Sequence, residues 1–417
     1  MRALILIMLI CFAFVSQAQN KAVGLVENAN GTSISGVSVV VQNAITQDGN
    51  NQKEKEWMIG PFVKIDSVNP ILTPSKDGEF FCPITNDTIS WEAKDVFNPA
   101  ALVRNGKVVL FYRAEDFNGK YNGTSRIGKA ESTDGYHFIR NKKPILFPDK
   151  DSLNVYEQKG GIEDPRVVED EKGNYYMTYS SFDGNVARLC LARSRDLQNW
   201  EKFGPIFKNK INFRSDKIER DEKGMLTKEY VNNLRRRGYW NKSGAIVCNV
   251  KGGKNIAAKI NGKYWMYWGD SNIFLAYSDN LINWEILCNS KGELIPVMKT
   301  RVGFFDSYLI EPGPPAIIAE QGILLIYNSK NDEKNGDPLI EKNAYCAGQA
   351  LFSLDDPSNL IDRCDTSFLK PNRRYEIEGQ INQVCFVEGL VNFNEKWLIY
   401  YGTADSKIAV AGCISKK

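Results

Sequence analysis

Apolar residues along this chain come in short runs, rich in aromatic and β-branched side chains and punctuated by Gly, Asn and Asp. The runs form a repeating unit. One run ends in an aromatic, a turn follows, and a second run leads into a polar Ser/Asp element. The copies are Gly106–Tyr112 with Ile127–Gly135, Asn174–Tyr179 with Leu189–Leu197, and Gly262–Tyr267 with Ile273–Asp279. Two more are Gly322–Tyr327 with Ala350–Pro357, and Lys396–Tyr401 with Ile408–Ala411. The aromatic markers Tyr112, Tyr179, Tyr267, Tyr327 and Tyr400 stand 67, 88, 60 and 73 residues apart. Strand-forming runs without long amphipathic helices between them predict an all-β protein. Five such units predict a five-bladed β-propeller, each blade a small antiparallel sheet around a central channel. A β-sandwich or two stacked β-domains are the alternatives.

Three segments fall outside the repeat. Arg2, the apolar run Ala3–Val15 and the small-x-small site Ser16-Gln17-Ala18 read as a secretory signal peptide over residues 1–18. Ile10 stands before Cys11 where lipidation wants a small residue, so cleavage and a periplasmic or secreted product are expected. Residues 19–56 are a polar lead-in, which leaves 57–417 as the catalytic domain. The charged insertion Lys208–Arg237, helical near Lys228–Arg236, reads either as a lid over the channel mouth or as a solvated excursion. No later run is long and apolar enough to span a membrane.

The net charge is +3, with acids and bases interspersed, and Arg235–Arg237 is the one basic cluster, so no nucleic-acid partner is expected. His137 is the sole histidine, which sets aside His-based triads and His-rich metal sites. No metal motif and no cofactor signature stand out. The eight cysteines beyond the signal show no paired spacing and read as small buried apolar residues, although export leaves room for one or two disulfides. Any acid–base chemistry therefore falls to carboxylates.

Gly160-Gly161-Ile162-Glu163-Asp164-Pro165-Arg166 is the most distinctive stretch. The glycines permit a tight turn. Pro165 fixes its own φ and should push Asp164 towards an extended conformation. In a propeller, loops at one channel mouth converge, so polar residues just after the marker strands become candidates: Arg113, Glu115 and Asp116, then Asp183, Asp270 and Asp405. Acids, arginines and aromatics at one mouth suit a sugar. Each acid taken alone reads equally as a turn cap.

Phe97-Asn98-Pro99-Ala100, Tyr112–Asp116, Gly161–Arg166 and Tyr400–Asp405 together resemble glycoside hydrolase family 130, from about residue 60 to the C-terminus. The resemblance implies a five-bladed propeller acting on β-mannosides, with Asp164 as catalytic acid delivering its proton by way of a sugar hydroxyl. It implies that Asn98, Arg113 and Asp405 contact the sugar, with Arg126 as a further candidate. The residues alone do not choose Asp164 over Glu163, which reads as a salt-bridged neighbour.

A phosphorylase must hold a phosphate dianion with basic donors, whereas an inverting hydrolase needs a second carboxylate to activate water. Family phosphorylases carry basic residues, a histidine among them, after the third-unit strand. This chain has Trp268-Gly269-Asp270-Ser271 there and Glu311 before Pro312. We therefore read an exported glycosidase that cleaves β-mannosidic linkages, β-1,2 among them, by inverting hydrolysis. Glu311 is the favoured base and Asp270 the alternative; Glu388 is a third acid, read equally as a buried structural partner. A β-mannoside phosphorylase, with inorganic phosphate as co-substrate held by Arg188 and Lys242, is the competing function. A non-catalytic sugar-binding propeller and a glycosidase of another five-bladed group acting on arabinan or fructan are the others.

Overall fold

The computed structural model describes residues 55–117, 123–208, 219–222 and 226–414. The expected signal peptide and all but the last two residues of the lead-in lie outside them.

The described residues are all-β; the repeats lie in five successive antiparallel groups of strands, with the hairpins Glu79–Cys82/Asp87–Ser90 and Cys248–Lys251/Lys254–Ala257 outside them. The first runs Asp95–Arg104, Lys107–Glu115, Ser125–Ser132 and Ile139–Arg140. The second runs Gly161–Glu169, Tyr175–Phe182, Ala187–Ser194 and Glu201–Pro205. The third runs Ala245–Ile246, Lys263–Trp268, Phe274–Ser278 and Trp284–Ile286. The fourth sets Leu309–Pro312 and Ile317–Ala319 against Gly322–Lys330, then Tyr345–Phe352 and Leu360–Arg363. The fifth runs Cys385–Phe393, Lys396–Thr403 and Lys407–Ile414, and the early strand Val63–Lys64 pairs onto its last member. Short parallel contacts link groups, as where Ser125 meets Gly161. Gly161 is required there: its φ is +101° and a Cβ would stand 2.2 Å from the Ser125 carbonyl oxygen.

The five marker tyrosines are all fully buried, one in the second strand of each group, with Leu309–Pro312 and Ile317–Ala319 counted together as the broken first strand of the fourth. Each hydroxyl is satisfied: Tyr112 donates to Glu92, Tyr179 to Glu157, Tyr327 to Asp306, and Tyr267 and Tyr400 to the Pro357 and Gly135 carbonyls. A buried phenol left without a partner would cost about 1–3 kcal/mol, which explains why the repeat keeps both the ring and an acceptor.

The Ser/Asp elements are turn caps. Ser132 Oγ accepts from the Gly135 amide and Asp134 Oδ1 from the Tyr136 and His137 amides. Ser194 and Asp196 repeat the arrangement, and in the third unit Asn280, not Asp279, takes the acid's place. His137 sits exposed in the first of these turns with Nδ1 2.7 Å from Asp134 Oδ2. All eight cysteines among the described residues are free thiols, and six are buried. Their packing role is as expected, and no disulfide forms among them.

The insertion carries the expected helix, Lys228–Arg236. Thr227 Oγ1 caps it by accepting from the Tyr230 amide at 3.2 Å. Tyr230 and Leu234, one turn apart on one face, pack with Val186.

Candidate functional site

The first strands of three groups are each interrupted by a register shift: between Phe97 and Pro99, between Glu163 and Arg166, and between Val387 and Gly389. The residues expelled from the ladders are Asn98, Asp164 with Pro165, and Glu388. A bulge re-aims a side chain that the pleat would otherwise direct to one face. Asn98 and Asp164 take φ values of 46° and 50°, the left-handed region. The expectation that Pro165 holds Asp164 extended is thus corrected. Pro165 disfavours the right-handed helical region for its predecessor, and the bulge resolves that restriction through positive φ. Such strain costs of order 1–3 kcal/mol. It is offset where Asn98 Nδ2 donates to Asp164 Oδ1 at 2.9 Å, between two buried side chains.

Arg113 binds this pair from the second strand of the first group. Its Nη1 donates to Asp164 Oδ1 at 3.3 Å and its Nη2 to Glu115 Oε1 at 2.7 Å. Nη2 also lies 3.1 Å from Glu163 Oε1, and the guanidinium stacks 4.7 Å over the Phe97 ring. Glu163 is therefore the salt-bridged neighbour that the sequence suggested. Lys242 enters from the third group's approach, with Nζ 3.4 Å from Asp164 Oδ2. Burial would lower the Lys242 pKa, but Asp164, Glu163, Glu311 and Asp270 together raise it well above normal. This half-buried ammonium is the electrostatic centre of the cleft.

Glu311, buried on Leu309–Pro312, accepts from Ser243 Oγ at 2.6 Å. The two principal carboxyls are shifted in opposite directions. Burial favours the neutral form of Asp164, but Lys242, Arg113 and the Asn98 hydrogen bond outweigh it and hold the carboxyl well below the usual range. For Glu311, burial dominates and Asp270 adds to it against Lys242, so its pKa is raised. Asp405, half-buried at φ 49°, is pushed up to about 7 by burial, with Arg113 opposing and Asp164 reinforcing.

Other candidates are placed differently from expectation. Asp270 is not free to act as a base: Arg235 Nε and Nη2 grip its two oxygens at 2.9 and 2.8 Å, and Trp240 Nε1 adds a 2.8 Å bond. The insertion thus reaches the site through Arg235. Asp183 is a turn cap, accepting from the Asn185 and Val186 amides, and pairs with Arg188 at 2.6 Å. That pairing engages Arg188 through Nη1, while its Nε has no hydrogen-bond partner. Asp116 and Arg126 pair with each other at 2.6 Å, both buried, with Arg126 directed at Cys82 and the Phe80 ring. Period-two alternation explains the separation from the cleft: Ser125 faces Arg113, so Arg126 faces away. Arg126→Met should therefore destabilise by roughly 3–5 kcal/mol, the cost of breaking a buried pair, as measured by urea unfolding. Unchanged stability with a raised KM would instead return Arg126 to the sugar site.

Sequence reasoning passed over Ser243 and Trp240, read Arg235 only within a solvated or phosphate-facing basic loop, quoted Arg166 in its motif without a role, and gave Lys242 only a phosphate role. One signal was available. Asn98-Pro99, Asp164-Pro165 and Glu311-Pro312 repeat a polar residue followed by proline in the first strand of three groups.

The all-β scaffold thus brings buried carboxylates, arginines and a lysine from different strand groups together. The family model described as β-1,4-mannooligosaccharide phosphorylase matches residues 63–417, and the chain belongs to glycoside hydrolase family 130, enzymes acting on β-mannosides. A 1,2-β-oligomannan phosphorylase from Thermoanaerobacter sp. is 31% identical over 83% of this chain and 95% of its own length. A solved glycosyl hydrolase from Bacteroides ovatus is 43% identical, with a TM-score of 0.78 over 88% of this chain and 97% of that one. Another solved structure, 41% identical with a TM-score of 0.78 over 87% and 96%, is described within a family of mannoside phosphorylases containing glycoside hydrolases that target β-1,2-mannosidic linkages in Candida mannan.

Proposed function

We propose that the protein is an exported β-mannosidase that hydrolyses β-1,2-linked mannosides with inversion, its five strand groups forming the blades of a propeller over residues 57–417. The observation that carries the proposal is the placement of Asp164 and Glu311, two buried carboxyls from different strand groups that both act on Lys242. Asp164 serves as the acid and Glu311 as the base that activates water. The shifts run against these roles, Asp164 being lowered and Glu311 raised. Sugar binding must therefore draw Lys242 and Arg113 away from Asp164, so that burial prevails and Asp164 takes up a proton, while Glu311 acts in its ionised form. Asn98, Arg113 and Asp405 hold the sugar whose bond breaks. The reaction calls for no metal or organic cofactor.

Hydrolysis is supported by the balance of charge. Arg235 is neutralised by Asp270, and Lys242 is shared among four acids, which leaves little positive charge for a phosphate dianion. The relationship at 41% identity to a structure described with β-1,2-targeting hydrolases points the same way. Phosphorolysis remains the second reading. It is favoured by the names of the curated relatives, which are phosphorylases, and by the presence of Lys242 and Arg235 in the cleft. The test is product analysis on β-1,2-mannobiose with and without inorganic phosphate. Free mannose at equal rates in both is expected; mannose 1-phosphate formed only with phosphate would overturn hydrolysis. No turnover on any β-mannoside would leave a sugar-binding module.

A further inference from the structure

Glu388 is fully buried, and no step above uses it. Neither carboxylate oxygen has a well-aligned hydrogen-bond donor, and its ion pair is with Arg166, Nη2 to Oε1 at 2.9 Å. Burial pushes its pKa well above normal, against the pull of Arg166. Two unsatisfied oxygens on an enclosed acid are costly, so a purely packing role would be served better by an apolar side chain.

Arg166 explains the arrangement. Its Nη1 donates to the backbone carbonyl of Asp164 at 3.1 Å. Its Nη2 donates to the Pro312 carbonyl at 2.8 Å and its Nε to the Gly313 carbonyl at 2.7 Å. One planar fork thus touches the bulge that bears Asp164, the two residues that follow Glu311, and the bulge that bears Glu388. We infer that Arg166, oriented by Glu388, is a positioning clamp that sets the separation between Asp164 and Glu311. The inference rests on the assignment of those two carboxyls as the working pair. An inverting hydrolase needs about 6.5–9.5 Å between its carboxyls to seat a water, and a misplacement near 1 Å can cost on the order of 10²-fold in rate. A rigid guanidinium suits that task. A lysine keeps the charge but offers a single nitrogen in place of the fork.

The test uses Arg166→Lys and Glu388→Gln in the full chain. For Arg166→Lys, kcat on β-1,2-mannobiose is expected to fall roughly 10²-fold with KM within about threefold, because substrate contacts stay intact while the reacting geometry loosens. Glu388→Gln, nearly isosteric, is expected to lower kcat about tenfold by the same route and serves if the lysine variant does not fold. A kcat within about twofold of the parent in either folded variant would overturn the clamp. So would a loss that only tracks the folded fraction read by circular dichroism. Crystal structures of parent and variant separate this inference from the functional proposal. A carboxyl separation shifted by more than about 0.5 Å supports the clamp, and an unchanged separation sinks it, whether or not the parent cleaves mannosides.

Discussion

Asp164→Asn is expected to lower turnover of β-1,2-mannobiose by roughly 10³-fold, within the range that general acid–base groups contribute. The amide keeps the Asn98 and Arg113 contacts within reach but carries no transferable proton. Loss should be far smaller on an aryl β-mannoside with an acidic phenol, since a stable leaving group needs little protonation. Equal loss on both substrates would remove Asp164 from the acid role. The same substitution has a pH-dependent effect on stability. The folded pKa of Asp164 lies below its ordinary value of 3.8, so its ionisation stabilises the native state fully above that value and progressively less as pH falls. The thermal midpoint of the variant should therefore trail the parent at pH 7, with the gap narrowing towards pH 2. A gap that widens on acidification would show that Asp164 is not held ionised in the empty cleft.

Glu311→Gln is expected to lower turnover by about 10²–10⁴-fold, with little change in KM, because Ser243 retains an acceptor in the amide oxygen. Azide should restore part of the rate on an activated aryl substrate and yield the α-mannosyl azide, since a small anion can attack from the face where the base no longer activates water. Asp164→Asn should not respond in this way. Near-normal turnover in Glu311→Gln would remove the base from this position. Asp270 would not be its natural successor, because both of its oxygens are held by Arg235. In the parent, kcat/KM should decline on the acid side at a pH above the ordinary glutamate value of 4.5, because the raised Glu311 must be ionised to act.

Much of the scaffold was legible because it is periodic. The marker tyrosines foretold the second strand of every group, and the charged run Lys228–Arg236 foretold its helix. The site was only half legible. Looking just after the marker strands found Arg113, Asp270 and Asp405, but it also collected Asp116 and Asp183, whose charges are spent on Arg126 and Arg188. Local sequence cannot distinguish a turn cap from a cleft acid, because both use the same side chain at the same kind of turn. The cleft's centre is set by bulges in the first strands. A bulge is a long-range register event between two strands, visible in sequence only as the faint Asn-Pro and Asp-Pro recurrence and not at all at Glu388-Gly389. Lys242 and Arg166 were undervalued for a related reason: their importance lies in partners 78 and 222 residues away, Asp164 and Glu388.

The strand Val63–Lys64, laid against Lys407–Ile414, joins nearly the first and last described residues of the chain in one ladder. In time, this means that the earliest of the described strands to be synthesised waits for the latest. Closing so long a loop is entropically expensive and slow. Until Lys407–Ile414 arrives, Val63–Lys64 lacks its partner strand, the condition in which strands pair with the wrong partner. Because the bulge bearing Glu388 belongs to that same sheet, catalytic competence should arrive late, on maturation of the whole chain, rather than accumulate group by group.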